Sequence, residues 1–332
     1  MARNYRPRNV ENTGFGVNSA EEGGRLVNKD GSTNLRKTGV PFYERISIYH
    51  TLLRLPRWEF LGAVVVFYTS LNLFFAMMYL LNGVEHLHGV EVDGDTFGAF
   101  LQAYFFSSQT LTTVGYGHIS PSGTTANIIA SLESFTGILS FALVTGMLYA
   151  RFTRPQAYLW FSKCFLIAPY KNGRGLMFRI ASYKNNHLTD VEAQAVLALR
   201  QSEHGKAATR FYPLELEISK ITSLALNWTI NHPITEASPL YGLDENQIRE
   251  MRPEMVITIK GFDDHFSNIV QQRTSYDVTE MVYGARFTPM YHRSDDGSHT
   301  ILELDRMSDY EEVKMPATSN TPEGEVAVGA DS

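Results

Sequence analysis

The sequence has a single cysteine, Cys164, so no intrachain disulfide can form and the fold must rest on packing. Its place just beyond a long apolar region suits a reducing cytoplasm. A second scarcity is more informative. Of the 29 Lys and Arg residues none falls between Trp58 and Ala150, and the acids in that window are Glu59, Glu85, Glu91, Asp93, Asp95 and Glu133. Also missing are a GxGxxG motif, a nucleophile and base in a recognisable set, a metal cluster and a phosphate loop. An enzyme, a resident cofactor and a nucleotide-sensing Rossmann domain are therefore not expected, and neither is a nucleic-acid partner.

What fills the base-free window is apolar. Phe60 to Asn82 runs 23 residues without a charge, enough at about 1.5 Å per residue to cross a hydrocarbon core of roughly 30 Å. A second run, Asn127 to Ala150, carries one charge, Glu133. These runs place two spans at 58–82 and 127–151, and the first begins too late, with no cleavage site after it, for a signal peptide. Arg45, Arg54 and Arg57 precede the first span, and Arg151, Arg154 and Lys163 follow the second. The positive-inside rule then puts both termini in the cytoplasm.

The outward loop reads in three pieces. Gly83 to Asp95 is acidic and turn-rich; 96–110 is apolar, aromatic and too short to span, which suits a re-entrant helix capped by Asp95 or Thr96; His118 to Thr125 is a polar return. Between helix and return sits TTVGYG, residues 112–117. Irregular backbone at membrane depth is tolerated where it is buried in protein or lines a wet cavity. The two glycines permit left-handed geometry, so successive carbonyls can point to one side and form a ligand column for a dehydrated cation. Thr113, Val114, Gly115 and Tyr116 would supply the oxygens, with Tyr116 facing away as a brace, and the negative end of the helix dipole would favour the ion.

Placed between two spans and after a re-entrant helix, this motif resembles the potassium selectivity filter, in which four such loops surround an axis. Together with ARFTRP (Ala150 to Pro155), NWTINHPITEASPLYG (Asn227 to Gly242) and NKDGSTN (Asn28 to Asn34), it makes the chain similar to the prokaryotic inward-rectifier (Kir-type) potassium channels. The resemblance implies an α-helical two-span membrane pore with a re-entrant pore helix, plus an all-β immunoglobulin-like cytoplasmic domain, assembled as a homotetramer in a bacterial inner membrane. It also implies a filter of Thr113, Val114, Gly115, Tyr116 and Gly117, with K+ as permeant ion held at Thr113, Val114, Gly115 and Tyr116, and Thr112, Gln109 and Glu133 as filter support.

Further roles follow from the same resemblance. Gly137 matches a hinge, with close helix packing as the alternative; Tyr149 matches the narrow cytoplasmic end of the pore, with an interface tyrosine as the alternative. Residues 41–57 match a slide helix, and Phe42, Ile46, Tyr49 and Leu53 do fall on one stripe, though a simple anchor has the same pattern. Ile269, Val270, Gln271, Gln272 and Arg273 resemble a cytoplasmic gate loop, with surface turn chemistry as the alternative. Arg54, Arg57, Arg151, Arg154 and Lys163 lie where phosphoinositides or other anionic lipids would bind, with the sign of the effect open. Eukaryotic relatives often carry a Glu–Arg pair behind the filter and an acid in the second span; here those positions are Gln109, Ile119 and Phe141. Weak rectification is therefore expected, with Glu215 and Glu217 as candidate cation-attracting acids. His86, His88 and His118 lack the spacing of a closed metal site.

Beyond Pro155 the apolar pattern switches to period two, with a short helix over Asp244 to Met251 and a hairpin turn at NGRG, Asn172 to Gly175. The organisation expected is a largely disordered N-terminus (1–40), the interfacial helix (41–57), a transmembrane pore domain (58–154), a β-sandwich (155–307) and a disordered acidic tail (308–332). A membrane receptor with a β-rich binding domain and a poorly selective cation pore are the competing readings.

Overall fold

The computed structural model describes residues 25–35, 38–39, 41, 47–90, 96–184, 186–203 and 206–315. The chain forms two compact units, one of Thr38–Arg154 and one of Met1–Lys37 with Pro155–Ser332.

The first unit is helical. A short helix α1 (Ile48–Arg54) stops before Pro56, which has no N–H to continue the ladder, and α2 (Arg57–Asn82) starts on the other side of it. The expected interfacial helix is thus seen only in its second half; residues 42–46 lie outside those described. At about 1.5 Å per residue, α2 and the long helix α4 (Gly123–Phe152) both exceed a hydrocarbon core. Much of their outer surface is apolar and exposed, as at Val65, Phe74, Leu132 and Phe135. Between them, α3 (Thr96–Leu111) is too short to cross. Helix α4 begins four residues before its expected start because a polar first turn, invisible to hydropathy, continues the helix through an Asn127 side-chain bond to the Gly123 carbonyl at 2.7 Å. The three helices share a core of Phe75, Ala76 and Tyr79 from α2, Ala103, Phe106 and Leu111 from α3, and Ile129 from α4. A small ladder, β1 (Leu87–His88) with β2 (Ser120–Pro121), closes the outer loop. The acids of 91–95 lie outside the described residues.

The second unit is a β-sandwich with an attached N-terminal segment. One sheet runs in the order β11 (Asn268–Tyr276), β10 (Glu254–Asp263), β6 (Leu188–Glu203), β7 (Lys206–Pro213), with β8 (Lys220–Ser223) also on β6. The other runs β12 (Met281–Tyr283), β4 (Phe165–Tyr170), β5 (Gly173–Ser182), β3 (Leu159–Phe161), with β9 (Asn227–Ile234) also on β5. Period-two patterning sets the inner faces: Leu176, Phe178 and Ile180 on β5 meet Val191, Ala193, Ala195, Leu197 and Leu199 on β6 and Met255, Ile257 and Ile259 on β10. Lys171 and Asn172 make the two-residue turn between β4 and β5, with Lys171 at φ 52°. Helix α5 (Glu245–Glu250) starts from a capping box in which Asp244 and Gln247 satisfy each other's backbone.

Three expectations need correction. Residues 269–273 do not form a loop: they pair with β10 from Thr258↔Arg273 to Phe262↔Ile269, and Val270 is buried in the core. The tail is ordered beyond 308, because β14 (Tyr310–Glu312) adds to β13 (Ala285–Phe287) through backbone bonds that acidic composition does not reveal. The N-terminal segment is ordered from Arg25, with Leu26 and Val27 buried against Ala198, Phe211 and Val256. Residues 1–24 and 316–332, expected to be disordered, lie outside the described residues.

Candidate ion-conduction site

The site grows from the C-terminal end of α3. A helix end leaves four carbonyls without partners, and here the chain folds back to use them. The Thr112 N–H donates to the Ser108 carbonyl at 3.2 Å and Thr113 to Thr110 at 3.1 Å, while Val114 and Gly115 both donate to Gln109, at 2.9 and 3.3 Å. Gln109 therefore supports the hexapeptide through its backbone. Thr112 does so through its hydroxyl, which donates to the Ser108 carbonyl at 2.7 Å.

The backbone then alternates. Thr113, Gly115 and Gly117 have φ of 62°, 55° and 80°, every second residue in the left-handed region. At the glycines this is unstrained; at Thr113 it costs roughly 1–2 kcal/mol, the kind of strain retained where geometry serves a purpose. Val114 and Tyr116 are exposed in the single chain, Tyr116 at 79%. The strand carrying them thus has a face free for another copy. Its return is pinned: the Ser122 N–H donates to the His86 carbonyl at 2.7 Å, and Gly89 at φ 88° passes so close to the His118 carbonyl that a Cβ would lie 2.1 Å from it.

Behind the strand lies α4. Glu133 and Gly137 are both buried, one turn apart. A Cβ at Gly137 would meet the Leu111 carbonyl at 2.0 Å, so this glycine permits close approach to the end of α3, which is the packing alternative. Phe141 is exposed and borders an apolar cavity of about 430 Å³ that reaches Leu111, Thr112 and Thr113. Tyr149, also exposed at 70%, lies farther along the same helix.

The basic residues divide. Arg151 is committed: its guanidinium donates to the Leu52 carbonyl at 2.6 Å and the Leu55 carbonyl at 2.7 Å and sits 4.5 Å above the Phe60 ring. It caps α1 and ties it to the end of α4, a role that sequence spacing does not signal. Its donors are thus engaged within the chain, whereas Arg54, Arg57, Arg154 and Lys163 are exposed.

In the β unit, Gln272 is clamped, accepting from the Leu159 N–H at 2.9 Å and donating to the Leu159 carbonyl at 2.8 Å. Of the two candidate acids, Glu217 accepts from Lys171 at 2.5 Å and from the Tyr170 hydroxyl, bonds that hold its pKa down at about 2. Its charge is ionised but already matched, so Glu215, exposed and with its backbone carbonyl accepting from His232, is the freer acid among the described residues. Among the described residues no group of three or more His, Cys, Asp or Glu is placed to hold a metal.

Two family descriptions match this arrangement. "Inward rectifier potassium channel C-terminal domain" matches residues 159–327, and "Ion channel" matches residues 63–154. The inward rectifier potassium channel Kirbac3.1 of Paramagnetospirillum magnetotacticum is 31% identical over 279 residues, 83% of this chain and 92% of that one. The chain belongs to the inward-rectifier potassium channel family. Human G protein-activated inward rectifier potassium channel 2 is 27% identical across 92% of this chain and 77% of its own length, and human channel 4 is 26% identical across 87% and 74%. Membership makes the channel a membrane protein of ion transport, with the two apolar helices as its spans. The fold is that of the family: two apolar helices followed by a large β-sheet domain.

Proposed function

We propose that four copies of the chain surround one axis and conduct K+ passively through a column of carbonyls from Thr113 to Tyr116. The observation that carries this is the left-handed backbone at residues 113, 115 and 117, directly after a helix too short to cross the membrane. Alternating handedness turns successive carbonyls to one side, and four such strands replace a hydration shell. The exposed face of Val114 and Tyr116 would pack against a neighbouring copy, and Gln109, Thr112 and Glu133 hold the strand from behind.

Gating on this reading lies in the cytoplasmic half of α4, where the exposed Phe141 and Tyr149 would narrow the axis, and in the β unit. The Arg151 bonds to α1 support a coupled movement, because α1 cannot shift without the end of α4. Anionic lipid headgroups, phosphoinositides among them, would act at Arg54, Arg57, Arg154 and Lys163. Both termini are cytoplasmic in this scheme and the membrane is a bacterial inner membrane. Rectification is weak, because Phe141 offers no charge and Glu217 is matched by Lys171.

The test is rubidium uptake into liposomes holding purified tetramer, with and without barium, with sodium as competitor, and with phosphoinositide present or absent. Barium-sensitive uptake that sodium does not replace supports the proposal, and the lipid arm gives the sign of regulation. Equal sodium entry would point to a poorly selective cation pore. A tetramer silent under every lipid condition would favour a receptor.

A further inference from the structure

The end of α3 is held by a set of polar groups that contains no filter residue. Glu133 of α4 is fully buried, and among the described residues no Lys or Arg forms an ion pair with it. Its Oε1 accepts from the Ser107 hydroxyl of α3 at 2.5 Å, and its Oε2 accepts from the Tyr79 hydroxyl of α2 at 2.7 Å. The Ser107 oxygen also lies 3.2 Å from the carbonyl and 3.3 Å from the Oδ1 of Asn72, which is itself fully buried in α2. Asn72 is oriented by donation from Nδ2 to the Tyr68 carbonyl at 2.9 Å, and the Tyr68 hydroxyl is 2.7 Å from that of Ser108. Three helices therefore meet at one carboxylate.

A second contact lies one turn further along. Ser107 and Leu111 are four residues apart on α3, and Glu133 and Gly137 are four apart on α4. The first pair of contacts is polar and the second is the close approach of Gly137 to the Leu111 carbonyl. Matched spacing means the last turn of α3 lies alongside α4 in register, fixed at two heights about 6 Å apart. Leu111 leads directly into Thr112. Apolar packing alone would specify this height weakly in lipid, where hydrophobic attraction between helices is absent and interhelical hydrogen bonds carry orientation. The positions Gln109 and Ile119 supply no ion pair to do so instead.

We propose that Glu133, Ser107, Tyr79 and Asn72 form a positioning cluster that sets the height of the filter strand and so determines how well the pore distinguishes K+ from Na+. The inference rests on the filter reading above. A displaced strand changes the spacing of carbonyls around the ion, and Na+, being smaller, gains most from the loss of that spacing.

The variants follow from the hydrogen-bond inventory. In Glu133→Gln the amide can donate to the Ser107 oxygen while its own oxygen accepts from Tyr79, and Ser107 can then donate to Asn72, so every member stays satisfied. Glu133→Leu leaves the buried Tyr79 hydroxyl without an acceptor and the Ser107 hydroxyl with Asn72 alone. Tyr79→Phe and Ser107→Ala each remove a single hydroxyl and little volume. Rubidium and sodium uptake and the barium concentration for half block are measured on the tetramer fraction of each variant. Glu133→Leu is expected to lower the rubidium-to-sodium ratio about tenfold, Tyr79→Phe and Ser107→Ala by about threefold, and Glu133→Gln by less than about twofold. If Glu133→Leu does not assemble, the two single-hydroxyl variants decide. Fewer tetramers with an unchanged ratio and unchanged barium block would overturn the proposal, because the cluster would then serve assembly alone. A wild-type tetramer that admits sodium as readily as rubidium would sink the filter reading instead, and the two failures are separate.

Discussion

The helical unit and the β unit bury their polar groups for opposite reasons. In the helical unit much of the apolar surface faces outward, and beside a shared apolar core the helices are tied at particular points by buried polar side chains: Glu133, Ser107, Tyr79 and Asn72. In the β unit the apolar surface faces inward, and the two sheets are joined by rows such as Leu176, Phe178 and Ile180 against Val191, Ala193 and Ala195. There some buried polar groups are held by local partners and do not tie one sheet to the other. His232, for example, donates from Nδ1 to the Glu215 carbonyl at 2.7 Å and accepts at Nε2 from the Ser238 hydroxyl at 2.8 Å. Polar contacts locate elements in one unit, and apolar rows do so in the other.

That contrast breaks most sharply at Gly137. Gly137→Val places a Cβ against a backbone carbonyl that cannot rotate away, so a loss of at least about 1–3 kcal/mol is expected together with loss of selective flux, read by tetramer yield and rubidium uptake. An apolar deletion in the other unit should behave differently. Ile257→Ala is expected to destabilise the β unit by about 2–5 kcal/mol, seen in its unfolding transition, while surviving tetramers keep the wild-type rubidium-to-sodium ratio. A changed ratio would mean that sandwich packing reaches the filter.

Smaller effects sharpen the comparison. Gly31 sits at φ 81° with the Arg273 carbonyl 2.4 Å from where its Cβ would be, so Gly31→Ala should cost about 1–2 kcal/mol in the attachment of the N-terminal segment. Faster hydrogen exchange at Leu26 and Val27, whose N–H groups donate to the Glu254 carboxylate, would report it. The attachment also carries Arg25 and Lys29 on Glu280, at 2.7 and 2.8 Å.

The pH dependence of the β unit should be smaller still. Burial holds the His232 imidazole below its ordinary value of 6.5, against the opposing pull of Glu215, so as pH falls the unfolded chain takes up the proton first. The stability that the neutral ring carries is full above about pH 6.5 and is lost as pH drops from there through the folded value. Unfolding midpoints between pH 8 and pH 5, on the order of the window this linkage spans, should fall on the acid side and fall less in His232→Gln. The exposed Lys171–Glu217 pair should matter least, with no resolvable change in midpoint for Lys171→Gln.

Several elements were legible because their signal is local. The two spans, the short re-entrant helix and TTVGYG follow from run length, charge and glycine placement, and the inner faces of β5, β6 and β10 follow from alternation. The short helix after Asp244 was legible for the same reason, since a helix start depends on residues a few positions apart. Elements that depend on distant partners were not. Residues 269–273 were expected as a gate loop on the family resemblance, yet five pairs to β10 make them strand. Arg151 looked like a lipid ligand because it follows a span, yet its partners are carbonyls of α1.

By itself, then, the amino-acid order determined that the chain crosses a membrane twice, dips a helix between the crossings and ends in β structure. It also placed glycines at 115 and 117, where the backbone is left-handed. These properties are set by hydropathy, charge and the conformational reach of glycine, all of which act within a few residues. Tertiary structure alone decided that Glu133 gathers hydroxyls from two other helices, that Gly137 is a contact with Leu111, and that Arg151 closes α1. Each of these is a hydrogen bond or a close approach between segments far apart in sequence, and such pairings have no periodicity for a sequence to display.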